Sequence, residues 1–349
     1  IQNSGTNYDL INFKGKWYAP WGVLPALFLT PLQLIKGSFV PAFYLNIFFS
    51  SLDSVVFYLI LLQIKRDFLP QMNKWVIFIA VVLFSFGTTH FYVGTLGSSW
   101  HVDQMVTNLF GTLGIYVIFR KKREFKHYFL SILIFSIALI GRGTIVLLSI
   151  LPAALYVWEV REGIRKIEWR KDLLIGIAPL FFITLFFLYN YVRFQDPFDY
   201  GYSYINEAPY LQVRREAYGD FSLKHLPYNL RYMLLEIPHL KWEGEIKLNF
   251  NLKGNSIFFL SPPLLAAFLA LRKGLYQGIL WLTAVITILP SLLIYSTGWM
   301  LFGYRYSLDI TAILVILSLF GIKGRLNCLY VLGTLFAVYM HWLGINALM

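Results

Sequence analysis

Apolar residues run almost unbroken for stretches of roughly 15 to 25 positions, and the polar residues gather in the breaks between them. Strand-type alternation is absent from these runs. In hydrocarbon every backbone N–H and C=O must be paired within its own segment, so such runs are read as helices. The pattern predicts helices over 40–63, 75–95, 104–119, 173–192, 256–271, 275–296, 307–321 and 326–344. The run 128–158 is predicted as two short helices broken at Gly141-Arg142-Gly143. Pro20, Pro25 and Pro31 interrupt 19–36 and Lys36 closes it, which predicts a helix lying at the outer interface with Trp17, Tyr18 and Trp21 as aromatic anchors. Ser261-Pro262-Pro263 predicts a kink within its run. The expected fold is an all-α polytopic transmembrane helix bundle, one transmembrane domain over 1–349, with interfacial helices on its outer face.

Charge orients that bundle. Five basic clusters occupy alternate breaks: Lys65, Arg66 and Lys74; Arg120 through Arg123 with Lys126; Arg161, Arg165, Lys166, Arg170 and Lys171; Arg272-Lys273; and Lys323 with Arg325. They hold 17 of the 30 basic residues, so by the positive-inside rule those breaks are cytoplasmic. Residues 97–103, 141–143, 193–255 and 297–306 then lie outside. The 193–255 stretch, read as one long extracytoplasmic loop between spans, carries eight Lys/Arg against eight Asp/Glu. The net charge of +12 is therefore a topology signal, and no nucleic-acid partner is expected.

Composition sharpens this without changing it. With 58% hydrophobic and only 14% charged residues over 349 positions, a water-soluble fold would expose large apolar patches. A multi-pass integral protein of a prokaryotic plasma membrane is expected. The single cysteine, Cys328, excludes an intrachain disulfide and a zinc site built on several thiolates. The chain opens on Ile1, and its first 18 residues are too polar for a signal peptide, so a further upstream segment is expected. No fixed-period repeat and no matched pair of broken helices suggests the inverted halves of a transporter.

Four polar constellations collect on the outer side. Gly87-Thr88-Thr89-His90 leads to Trp100-His101-Val102-Asp103, where Asp103 suits a base, a metal ligand, a partner for Arg142, or an N-cap of the following helix. His90 and His101 read as interfacial hydrogen-bonders or, at loose spacing with one carboxylate, as a weak metal signal. Arg142, between two glycines, suits a phosphate or a structural pair with Asp103 or helix-end carbonyls. In the stretch 189–202, Asn190, Asp196 and Asp199 could bond sugar hydroxyls while rings stack on sugar faces; an aromatic belt is the plainer reading. Gly303-Tyr304-Arg305-Tyr306, closed by Asp309, offers Arg305 to a lipid-linked phosphate or to headgroups by snorkelling.

In order, several stretches resemble the GT-C class of integral-membrane glycosyltransferases, the group that includes protein mannosyl- and aminoarabinosyltransferases. These are the 8–18 stretch with Pro20 and Pro25, the 86–92 stretch with 100–104, Ile140-Gly141-Arg142-Gly143, the 189–198 stretch with Asn190, Arg193 and Asp196, and Phe302-Gly303-Tyr304-Arg305-Tyr306. The resemblance covers roughly residues 8–310. It implies a GT-C-type bundle and inverting transfer of a hexose or pentose from a polyprenyl-phosphate donor to a glycan, lipid or protein acceptor at the outer face. On the residues present, Asp103 is the candidate catalytic base and His90, Trp100, His101, Arg142, Asn190, Arg193, Asp196, Tyr304 and Arg305 are the candidate substrate contacts. Two departures stand out: the first helix and the first-loop acid that follows it in this class have no counterpart other than Asp9, and Gln104 stands where a histidine is expected. No resident metal is assigned, though a divalent cation stays open as a cofactor. The competing expectations are a lipid-sugar transporter or flippase, and a catalytically inactive subunit of the same fold.

Overall fold

The computed structural model describes residues 10–38, 40–205, 209–242, 246–271, 274–298 and 301–348. Asp9, the Arg272-Lys273 pair, Trp299 and Met300 lie outside them. The described chain is a helical bundle with almost no sheet. Its first half holds α1 (Leu24–Lys36), α2 (Ala42–Asp67), α3 (Lys74–Phe86), α4 (Thr89–Thr95), α5 (Ser99–Ile118), α6 (Phe125–Ala138), α7 (Ile150–Arg161) and α8 (Trp169–Phe194). The second half holds α9 (Pro209–Tyr218), α10 (Leu226–Leu230), α11 (Ile257–Leu260), α12 (Leu275–Leu293), α13 (Leu308–Gly321) and α14 (Cys328–Leu348). Five helical segments are long and apolar enough to cross a membrane: α2, the 143–161 segment ending in α7, α8, α12 and α14; α3 with α4 makes a sixth if taken as one bent span. That number fits a multi-pass membrane protein.

Several expected spans depart from simple helices, each for a local reason. The 75–95 run bends by 51° between α3 and α4. Asn73 starts α3 by accepting from the Trp75 and Val76 N–H groups, and Thr88 starts α4 by accepting from His90 N–H. The 256–271 run is only one turn of α-helix, followed by a 3-10 helix over Pro262–Ala270. Two adjacent prolines remove the donors an α-helix needs at that point. α13 has only 14 residues, about 21 Å, less than a bilayer core, but every one of them is buried in protein, so it need not face lipid. It packs against α12 and the Pro262–Ala270 helix. Two short hairpins, β1–β2 (Ile11–Phe13 with Lys16–Tyr18) and β3–β4 (His239–Trp242 with Ile246–Asn249), were not expected. They lie in the polar segments, where the apolar pattern carries no information.

The loops separate into two ends. Lys121 N–H donates to Asp67, Gln71 to the Lys323 carbonyl and Arg165 to the Arg123 carbonyl, joining the described basic clusters into one face. Phe68, Phe119, Tyr276 and Phe320 pack edge-on and stacked beneath it. α5 runs its 20 residues, about 30 Å, from that face to the other end, where 97–103, 140–143, 189–205, 294–298 and 301–306 converge.

Candidate functional site

The convergence begins with a close approach. The segment after β2 crosses the break between α6 and the 143–149 turn, and Val23 N–H donates to the Ile140 carbonyl at 2.9 Å. A Cβ on Gly22 would fall 2.3 Å from the Ile140 and Gly141 carbonyl oxygens, and one on Gly141 would fall 2.1 Å from Thr107 Cγ2. Only glycine fits at both positions. The Ala19 carbonyl in the same segment accepts from Arg193 Nη1 at 3.1 Å, tying it to the end of α8.

Beneath this strap lies a cavity of about 590 Å³, within the range of roughly 300–1,000 Å³ usual for small-molecule sites. Asp103, Trp100, Arg142, Asn190, Arg193 and Arg305 all line it. The Asp103 carboxylate is buried and its Oδ1 has no hydrogen-bond partner. The capping expectation is corrected: Ser98 holds the cap position and Asp103 is the fifth residue of α5. The expected Asp103–Arg142 pair is also replaced. Arg142 Nη2 donates instead to Asp309 Oδ2 at 3.1 Å, and Thr144 donates to the same oxygen at 2.7 Å. Asp309 Oδ1 takes a bond from Gln104 Nε2 at 3.3 Å, which also reaches the Arg305 carbonyl at 2.8 Å. Gln104 therefore stitches α5 to α13, and Asp309, the residue sequence reasoning did not single out as a site group, is fully occupied as a support.

Three guanidinium groups share the cavity. Arg305 sits over the Tyr306 ring at 5.0 Å and the Trp100 ring at 5.6 Å, Arg142 over Tyr306 at 5.5 Å, and Arg193 over Tyr189 at 3.9 Å. Arg193 also donates to Asn190 Oδ1 at 3.0 Å. Each of the three keeps a buried Nε with no partner. An unmet buried polar group costs about 1–3 kcal/mol, so the three Nε–H donors around one hollow suit an anionic group, and Asp103 Oδ1 suits a hydroxyl that donates to it. Trp21 packs edge-on to Trp100 at 5.3 Å, and burial pushes the Tyr202 hydroxyl up to about 12, leaving it a neutral donor on the wall. Leu185 and Phe186 of α8 and Pro290 and Ile294 at the end of α12 complete an apolar side. A second cavity of about 370 Å³ adjoins through Trp100, Tyr202, Arg305 and Tyr306.

The remaining expected contacts lie elsewhere. His101 lines the second cavity, with its ring nitrogens engaged by Ser98 and Tyr92. His90 is buried behind the site, its Nε2 lying 3.2 Å from Asp53 Oδ2, the oxygen that accepts from Asn108. Asp196 is exposed and closes its own turn by accepting from Phe198 N–H at 2.8 Å. Tyr304 is fully buried and donates to the Ser291 carbonyl at 2.9 Å, a core role. For Asp196 and Tyr304 the cause is shared: a polar residue beside a glycine or proline looks the same in sequence whether it faces a cavity, a turn or the core. Among the described residues no group of three or more His, Cys, Asp or Glu side chains is placed to hold a metal ion. Compared with known proteins, the chain matches no family model, no curated protein and no solved structure.

Proposed function

We propose that the chain is an inverting glycosyltransferase of the GT-C kind, acting on a polyprenyl-phosphate sugar at the outer face of a prokaryotic plasma membrane. The observation that carries this reading is a buried carboxylate, Asp103, whose Oδ1 has no partner, sharing a cavity with Arg142, Arg193 and Arg305, each with an unmet Nε. In the proposed step an acceptor hydroxyl gives its proton to Asp103 while its oxygen attacks the anomeric carbon. The bond from that carbon to the phosphate oxygen breaks, and the electron pair leaves with the lipid phosphate, whose charge the guanidinium groups of Arg142 and Arg305 offset. Trp21, Trp100 and Tyr306 offer faces to the sugar, and the apolar side between α8 and α12 suits a prenyl chain entering laterally.

The test uses membranes carrying the full chain and a set of radiolabelled polyprenyl-phosphate sugars. Transfer to endogenous acceptor is expected for the parent and a loss of about 10²–10⁴-fold for Asp103→Asn, the range for removing a general base. No transfer by the parent from any donor, with labelled lipid-sugar instead crossing reconstituted bilayers, would replace the enzyme by a flippase.

A further inference from the structure

At the opposite end of the bundle, an open cleft of about 490 Å³ lies between the end of α2 and the loop joining α5 to α6, lined by charged residues and His127 alone. Its carboxylates are already engaged. Asp67 accepts from Arg66 Nε at 2.7 Å and from Lys121 N–H at 3.3 Å, and Glu124 pairs with Lys126 at 2.9 Å. The exposed Lys121 and Lys122 side chains are in no ion pair among the described residues, and Arg120 keeps a buried Nε without a partner. The cleft is thus left with unneutralised positive charge.

A second feature points the same way. His127 Nδ1 accepts from the Glu124 N–H at 2.8 Å, so the ring proton must sit on Nε2. That Nε2–H meets Arg120 Nη1, itself a donor, at 3.2 Å. Two donors converge with no acceptor between them, an arrangement that an anionic oxygen alongside both would complete.

The geometry points to this cleft as a binding site for a phosphate group, presented as the headgroup of an anionic phospholipid in the adjoining leaflet or as free phosphate. The inference is independent of the transfer reaction, since none of these residues touches the cavity around Asp103. Headgroup recognition at a basic juxtamembrane cluster draws on the negative potential of that leaflet.

The purified full chain in neutral detergent is titrated with phosphatidylglycerol, with zwitterionic phosphatidylcholine and with inorganic phosphate, bound lipid being read by native mass spectrometry and stability by thermal melting. Retention of phosphatidylglycerol over phosphatidylcholine is expected, weakened roughly thirtyfold in Lys121→Gln/Lys122→Gln, the factor for two lysines near an anionic surface. Both side chains are exposed, so the variant keeps its fold. Stabilisation by inorganic phosphate alone, lost in the same variant, supports the site with the soluble source. Equal retention of the two lipids together with no response to phosphate, or any binding unchanged in the variant, overturns it.

Discussion

Two buried acids at the cavity end, Asp103 and Asp309, have opposite circumstances: one has an oxygen with no donor, the other takes bonds from Arg142, Thr144 and Gln104. Their substitutions should therefore separate. Asp309→Asn leaves Arg142 without its counter-charge in a buried setting and is expected to cost about 3–5 kcal/mol, seen as a large fall in melting temperature in detergent. Asp103→Asn removes no existing bond at Oδ1 and is expected to keep the melting temperature while transfer falls by about 10²–10⁴-fold; a fall in melting temperature as large as that of Asp309→Asn would make Asp103 a structural group instead. In the 193–255 segment, burial would raise the Glu236 carboxyl, but bonds from Asn251 and Arg231 outweigh it and hold it below the ordinary glutamate value. A depressed folded value means that this clasp adds stability above the unfolded pKa and loses it as pH falls through the folded one. Glu236→Gln should flatten the acid limb of the stability profile, and an unchanged limb would show that the clasp contributes nothing.

The helices carry their own consequences. A methyl group at Gly141 has nowhere to go, since Thr107 on α5 occupies the space, so Gly141→Ala should cost about 1–3 kcal/mol and displace the floor beside Asp103. Thermal melting together with the transfer assay checks both effects, and a variant as stable and active as the parent would mean the strap is loosely packed. Asn73 caps α3 at the basic end, far from the cavity, and Asn73→Ala is expected to lower stability by about 1 kcal/mol with transfer per folded molecule unaltered. Helix positions were legible because burial in lipid or protein imposes long apolar runs, and the break at Gly141-Arg142-Gly143 was legible because a charge between two glycines does not continue such a run. The hairpins and the bend between α3 and α4 were not, because the hairpins are backbone ladders in short polar segments and the bend turns on one local cap, Thr88.

For the assembled bundle, the separation of a basic end from a cavity end is the feature that sidedness experiments can address. In a Cys328→Ser background, Tyr200→Cys beside the cavity should react with an impermeant maleimide in intact cells, whereas Lys122→Cys should react only after permeabilisation. The reverse pattern would invert the orientation and remove the outer-face reaction. α8 belongs to the same argument: 26 residues long, it has only 6% of its apolar stretch buried within the protein and packs chiefly against α6, so it is the least covered of the helices long enough to span.

Amino-acid order alone set the membrane character, the helical class and the separation of the basic loops from the other polar breaks, because hydrophobic length and loop charge are local sums that each segment carries in its own composition. It also put Asp103, Arg142, Asn190, Arg193 and Arg305 among the candidates. Which acid stays free and which is spent on Arg142 was decided by folding, since Asp309 lies 167 positions from its partner and meets it only when α13 is buried in the bundle. Tyr304 is likewise spent on the Ser291 carbonyl, which only packing brings to it, whereas Asp196 is spent within its own turn. A hydrogen bond depends on distances of a few tenths of an ångström, and those exist only after the helices have docked.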